Sequence, residues 1–488
     1  MTGLQKGPTP AEELKAVLTS TDHLSLNSSA DLVIEGCVGR DLLARYGSPL
    51  YVISEETLRM NYRRIRSAFA SAWPSAVTIL YAIKANNNLA VRAILHQEGA
   101  GGECFGESEL FATFQGGADS EKIVLNGSNK SASLLRKAVE LGVMINIDAE
   151  DEIGLLADLA AELQTTVRTM IHLKLSSPGY ASIAPDYFGG PNLVEYARRS
   201  KWGFSLEAVK RIVRRIQESK GLGLRGFHFH IGRASRDVFY FKQWADAFAE
   251  TVIAVHRETG FAPQILDIGG GWPREREPES RSLDLNPTRI EEYAKVVAST
   301  FLQAFEKAGL GPPELWLEPG RYIVGNAVVF LATTGAIKRD LGLTWANLDA
   351  STNNLMRIDT SGSAYHLFLA TAMDRQSTEK VTFVGETCID SIFSADRLVP
   401  PMGRGEPVAV LDAGMYAETG STQLNGVPRP ATVLVSGSHS EIIKQRETIA
   451  DVFSKHRVPE RFRAPLANAG KMISKAGAQS GTGEEGQG

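Results

Sequence analysis

Cysteine is scarce: Cys37, Cys104 and Cys388 are the only three in 488 residues. Three thiols cannot all pair within one chain, and none stands in a Cys-x-x-Cys pattern, so a disulfide framework is excluded and a reducing cytoplasm is the expected compartment. No run approaches the roughly 18 consecutive apolar residues of a membrane-spanning helix. The first residues, MTGLQKGPTPAEELKAVL, lack the apolar segment of a signal peptide and read as a polar lead-in. There is no HExxH and no Cys/His cluster, so no metal is expected. Neither charge dominates: 52 Lys+Arg against 56 Asp+Glu leave −4, which does not suggest a broad basic face for nucleic acid. What is present is ordinary for a globular protein, 43% hydrophobic and 22% charged, enough apolar matter for a large core. The length allows two to four domains, or one large barrel with a companion.

Between the polar ends the chain alternates. Short apolar or β-branched runs recur at 77–84, 101–106, 122–127, 144–148, 169–175, 224–232, 264–271 and 314–320, and helical spacing follows seven of the eight. Eight strand–helix units over about 260 residues fit a (β/α)8 barrel, with an open doubly wound sheet as the competitor; the count of eight favours closure. After about residue 325 the pattern changes to strands separated by turns, such as AVVFLATTGAIKR, KVTFVGE and ATVLVSG, which reads as an antiparallel β domain. The expected organisation is a polar extension over 1–25, a strand segment over 26–45 joining the β domain, a barrel over 46–325, a C-terminal β domain over 326–465 and a disordered tail over 466–488.

The unusual residues gather at the C-terminal ends of the proposed strands, where barrel active sites are built. Lys84 ends the first, Glu103 lies in the second, and His228 and His230 end the sixth. Gly269, Gly270 and Gly271 end the seventh; Glu318, Gly320 and Arg321 end the eighth. Each has a plain alternative. A lysine after an apolar run is ordinarily solvated, but YAIK puts it on the strand, and a lysine buried there needs a partner or a lowered pKa, the condition that also makes a Schiff-base nucleophile. His228 and His230 share one strand face, and a single core histidine explains that pair as well. Three glycines end strands routinely, yet their amides also approach an anion closely. Together the four places outline a lysine-bearing, phosphate-binding barrel mouth.

The strings YAIKAN, FHFHIG, DIGGGW, EPGRYIVGNA, DAGMY and RPATVLV, in this order, resemble the fold-type III pyridoxal-phosphate decarboxylases. That family includes the diaminopimelate, ornithine and biosynthetic arginine enzymes. The likeness runs from about residue 30 to 460 and is nearest the diaminopimelate branch. It implies that Lys84 holds pyridoxal 5'-phosphate as a Schiff base, that Glu318 pairs with the ring nitrogen and that His230 stacks on the ring. It further implies that Gly269, Gly270, Gly271, Gly320, Arg321 and Tyr416 lie around the cofactor, its phosphate above all. Glu103 falls near the lysine. Cys388, in GETCIDSIF, matches the residue that reprotonates the carbanion after CO2 departs, and in this family that cysteine enters the neighbouring subunit's site, which implies a homodimer. By itself Cys388 also reads as a small buried hydrophobe.

Three departures touch substrate and phosphate recognition. Ile389 follows Cys388 where the family carries an acid, and Asp390 is the nearest substitute, although a one-residue shift on a strand reverses its face. Arg233 stands where the family often has serine at the phosphate; a guanidinium still pairs with phosphate. Arg357 matches a substrate-binding arginine, but the tyrosine expected beyond it is Ser361, leaving Tyr365 as a candidate replacement. The expectation is therefore a cytoplasmic, dimeric amino-acid decarboxylase with an altered small substrate, held by Arg321, Arg357, Asp390 and Tyr416. A fold-type III racemase, a cofactor-homeostasis protein and an inactive family regulator stay open. Glu318, the β domain after 325, and the retained Lys84, Glu318 and Cys388 argue against them in turn.

Overall fold

A computed structural model describes residues 6–183, 192–230, 235–278, 284–358 and 362–462. Arg233, Ser361 and the expected tail over 466–488 lie outside the described residues.

The N-terminal stretch is more than a polar lead-in. Thr9 and Glu12 form a capping box, Glu12 Oε2 accepting from the Thr9 amide at 2.8 Å, and start α1 (Pro10–Val17). Leu14 is buried in the core of the β domain. Next come β1 (Leu24–Leu26), β2 (Leu32–Ile34) and β3 (Cys37–Val38), a small antiparallel sheet of their own. The segment over 26–45, expected to join the β domain as strand, lies against that domain as short strands and a helix. Asn27 turns the chain by accepting from the Ser29 and Asp31 amides, which leaves strands of two or three residues, and Gly39–Tyr46 is a helix. These elements pack on the β domain through Leu32, Ile34, Cys37, Leu42 and Leu43 without joining its main sheet. The strand that does join is β4 (Leu50–Ser54), from inside the expected barrel range. Its LYVIS is buried at every position, as a strand covered on both faces requires.

The barrel strands are β5 (Val77–Ala82), β6 (Gly101–Cys104), β7 (Ile123–Leu125), β8 (Met144–Ile147), β9 (Val167–His172), β10 (Leu222–His228), β11 (Ile265–Asp267) and β12 (Glu314–Leu317). All pair in parallel, and β12 returns to β5, with Leu315 opposite Val77, so the barrel closes. One interior cluster consists of Leu80, Val124, Met144, Met170, Ile265 and Trp316, one residue from each of six strands. Side chains alternate along a strand, so the same inward face two residues further on carries Asn126, Asn146, His172, Asp267 and Glu318. An apolar plug thus sits directly beneath a polar mouth. Lys84 belongs to a single 3-10 turn, Ile83–Ala85, that ends β5.

The second domain contains β13 (Val328–Asp340), β14 (Leu343–Leu348), β15 (Leu367–Leu369), β16 (Glu379–Val384), β17 (Ile392–Val399), β18 (Pro407–Val410), β19 (Ala431–Ser436) and β20 (His439–Lys444). The main path runs β17-β16-β14-β13-β4-β19-β20. Most pairs are antiparallel as expected; β14 with β16 and β4 with β19 are parallel, so the sheet is mixed. No helix among the described residues is long and apolar enough to cross a membrane.

Candidate active site

The mouth is organised by buried carboxylates and amides. Lys84 Nζ donates to Glu103 Oε2 at 2.7 Å and lies 4.6 Å from the centre of the Phe105 ring. Asn126 Nδ2 bridges Glu103 Oε1 at 3.1 Å and Glu318 Oε1 at 2.8 Å, and its own Oδ1 accepts from Asn146 at 2.8 Å. His228 Nδ1 lies 3.1 Å from Asp267 Oδ2 and 3.7 Å from Glu318 Oε1. Its ring meets His172 edge-on at 4.7 Å, and His172 faces Asp148 at 3.4 Å. Glu103, Asp267 and Glu318 are all essentially excluded from solvent.

This crowding sets the protonation. Burial works against the Lys84 ammonium, but Glu103, Glu318 and Tyr416 outweigh it and raise its pKa. Burial likewise opposes charge on His228, yet Glu318 and Asp267 lift it to about 9. Burial dominates at His172, which falls to about 4. Glu318 is raised well above the usual carboxylate range, first by burial and then by Asp267. His228, Asp267 and Glu318 also offer one ligand atom each within 4.8 Å of one another.

One cavity opens on this cluster. Lys84, Asn126, His172, His228, His230 and Glu318 line it, with an apolar wall that includes Phe105, Leu173, Tyr196 and Trp202. The glycine turn adjoins it through His230. The Gly269 amide donates to Asp267 Oδ1 at 2.9 Å and the Gly270 amide to His230 Nδ1 at 3.2 Å, so two of the three amides are committed within the site. Gly269 has φ +68°, and a Cβ there would lie 2.8 Å from His230 Cα; on Gly270 it would collide with the Glu318 carbonyl. On the other side of Lys84 the β domain closes over the mouth. The Tyr416 amide donates to Ala85 O at 2.7 Å, and Thr419 Oγ1 donates to the carbonyls of Lys84 and Ala85. The Arg321 and Arg357 guanidiniums stand 6.0 and 5.1 Å from the centre of the Tyr416 ring. Gly320, where a Cβ would come within 2.8 Å of Ala85, lets the eighth strand turn pass beside the first.

A primary amine, a buried acid and an imidazole lining one cavity, and a glycine turn beside it that side chains would fill, form a donor set suited to pyridoxal phosphate. The family model for the pyridoxal-binding domain of pyridoxal-dependent decarboxylases matches residues 56–325. The chain belongs to the pyridoxal-dependent decarboxylases. It is 32% identical to the diaminopimelate decarboxylase of Methanothermobacter thermautotrophicus over 441 residues, 90% of this chain and 98% of that one. Against the Bacillus subtilis diaminopimelate decarboxylase it is 28% identical over 87% of the chain and 95% of the relative. Its fold superposes on the crystal structure of the M. jannaschii diaminopimelate decarboxylase in complex with L-lysine with a TM-score of 0.83, at 25% identity, covering 91% of this chain and 100% of that one. It is a pyridoxal-phosphate-dependent carboxy-lyase acting on an amino-acid substrate, and the racemase, homeostasis and inactive-regulator readings are set aside.

The structure thus brings together Lys84, Glu103, His230, Gly269–Gly271, Glu318, Gly320, Arg321, Arg357 and Tyr416. It does not bring Cys388 and Asp390 to this cavity: both are exposed, with Ile389, in the segment between β16 and β17. Cys388 is therefore no buried hydrophobe. Tyr365 is buried in the core and does not line the cavity. Asn126, Asn146, His172 and Asp267 escaped the sequence reading. Their signal was parity, a polar residue two positions after an inward apolar one.

Proposed function

We propose that this decarboxylase works as a homodimer in the cytoplasm, with Lys84 holding the cofactor and Cys388 of each chain serving the other's cavity. The observation that carries the Lys84 assignment is that its amine and the buried Glu318 carboxyl line one cavity. In this reading Glu318 would pair with the ring nitrogen, His230 would stack on the ring, and Arg321, Tyr416 and the glycine turn would meet anionic groups. When bound, pyridoxal phosphate supplies the electron sink for the pair left behind as CO2 departs. The chain's own work is orientation and proton control. Glu103 keeps the Lys84 ammonium in place, and the buried acids favour a cationic group at the ring position. The exposed Cys388 thiol, flanked by exposed Ile389 and Ile392, supports the shared-site reading, since a proton donor must be within reach of the reacting carbon. A thiol used this way must stay reduced, which fits a cytoplasmic enzyme.

The substrate reading follows from the residue after that thiol and from the arginines near Tyr416. Ile389 offers nothing to a distal ammonium, whereas Arg321 and Arg357 converge on Tyr416 and suit a carboxylate. The substrate is then an amino acid bearing a carboxylate or acyl extension in place of the distal cationic group of meso-diaminopimelate, ornithine or arginine. The test is CO2 release by the purified holoenzyme across a panel of these three and of citryl, glutamyl and acyl conjugates of amino acids. Efficient turnover of meso-diaminopimelate to lysine, or of ornithine to putrescine, overturns the substrate reading and leaves the decarboxylase standing.

A further inference from the structure

Six buried side chains of alternating charge run from the N-terminal segment to the cavity rim. Asp22 Oδ2 lies 2.8 Å from Arg276 Nη1, Arg276 Nε 2.5 Å from Asp412 Oδ2, and Asp412 Oδ1 3.1 Å from Arg274 Nη2. Arg274 Nε is 3.4 Å from Glu277 Oε1, and Glu277 Oε2 is 3.7 Å from Arg321 Nη1. Three acids alternate with three arginines, and none of the six side chains is more than 10% exposed. Burying one such pair is seldom a gain in stability over apolar packing, so a row of them points to a demand for geometry.

The geometry demanded is visible at both ends. Asp412 and Tyr416 belong to one turn and both hold positive φ, +61° and +57°, a strained state for residues with side chains. Arg274 and Arg276 grip the two oxygens of Asp412 and so fix one end of that turn. Glu277 faces the Arg321 guanidinium, and Arg276 also donates to Val17 O, tying the row to the end of α1.

We infer that Asp22, Arg276, Asp412, Arg274 and Glu277 are positioning residues that hold Arg321 and Tyr416 toward an anion at the rim, which makes the N-terminal segment a working part of the site. The inference rests on the proposed placing of Arg321 and Tyr416 at that anion, either the cofactor phosphate or a substrate carboxylate. Two readings separate the sources. The ratio of apoprotein affinities for pyridoxal phosphate and for pyridoxal, followed by protein fluorescence quenching, reports the phosphate. The split of KM against kcat in the CO2 assay reports the carboxylate.

Arg321→Gln is the reference and should shift one of the two readings at least tenfold. Asp22→Asn and Glu277→Gln should each shift that same reading at least threefold in that direction, with far-UV circular dichroism unchanged. Arg276→Lys, which keeps the charge, should stay nearer the wild type than Arg276→Met. A merely structural role would weaken pyridoxal and its phosphate alike and leave their ratio unmoved. If Arg321→Gln shifts a reading and Asp22→Asn and Glu277→Gln leave it within twofold, the positioning row is refuted while the placing of Arg321 survives. If Arg321→Gln shifts neither reading, the placing fails and the inference falls with it.

Discussion

Glu103→Gln should make Lys84 a freer amine. The substitution keeps the size and one acceptor for Asn126, and removes the carboxylate that Lys84 Nζ meets at 2.7 Å. Two unit charges at that distance attract by about 6 kcal/mol at an effective dielectric near 20, and by about 1.5 kcal/mol in bulk water. The Lys84 side chain is 36% exposed to the cavity, so screening holds the pair toward the lower figure. At about 1.4 kcal/mol per pKa unit, losing Glu103 should lower the Lys84 pKa by about one to two units. Glu318 remains, and it also favours the ammonium, so the fall is partial.

The assay needs no cofactor. Trace acetylation of the apoprotein across pH 7–11, read peptide by peptide by mass spectrometry, gives the rising limb of each lysine's titration, from which the midpoint is extrapolated. The Lys84 midpoint should move to lower pH in Glu103→Gln. Lys130, buried against Glu152 at 3.0 Å, should stay unreactive in both proteins and serves as the internal check on folding. An unchanged or higher Lys84 midpoint would refute the claim that Glu103 holds the ammonium.

Two histidines should give the apoprotein opposite pH slopes. His228 is raised to about 9, so its contribution to stability is complete below about pH 6.5 and lost as pH rises through 9. His172 is lowered to about 4, so its contribution is present above pH 6.5 and lost as pH falls toward 4. Urea-unfolding midpoints should accordingly lose their alkaline fall in His228→Asn and flatten on the acid side in His172→Asn. Lys130→Met strands the buried Glu152 carboxylate and should cost about 3–5 kcal/mol, seen as an earlier unfolding transition. Mixing Lys84→Ala with Cys388→Ala, each inactive alone, should restore about a quarter of the activity, because half the dimers are mixed and each carries one intact site. No recovery after subunit exchange would place Cys388 outside a shared site.

The barrel was legible because its signal is local. Each strand is a short apolar run with a helix behind it, and Lys84, His230 and Glu318 stand at strand ends within a few residues of their markers. The N-terminal segment was illegible for an equally physical reason. Hydropathy reads Asp22, and the Arg274, Arg276 and Glu277 of PREREPES, as solvated charges, whereas pairing buries all four. Over 26–45 the shortness of the strands was not legible, because composition does not weigh a turn: Asn27 folds the chain back before a long strand can form, and LYVIS, lying past the cis Ser48–Pro49 bond, takes the place in the main sheet. Cys388 was legible as a motif, but within one chain it is exposed, so the proposed use of it calls for a second chain.

The two sources of the site divide its charge. The interior of the barrel contributes acids and their amides: Glu103, Asp267 and Glu318, with Asn126 and Asn146 between them. The rim contributes guanidiniums, Arg321 from the turn after β12 and Arg357 from the β domain, gathered on Tyr416. With Glu318 raised toward its neutral form, Lys84 and His228 face the carboxylates of Glu103 and Asp267, and a cationic group beside Glu318 would draw its proton off. The inner cluster therefore gains by taking in one more positive group, and the rim by taking in negative ones. A ligand with a protonatable ring nitrogen at one end and anionic groups at the other is oriented by that division before any shape is considered. The same field would reject its reversal, because phosphate or carboxylate driven down to the buried acids Glu103, Asp267 and Glu318 would lose its solvation with no free cation among the described residues to meet it.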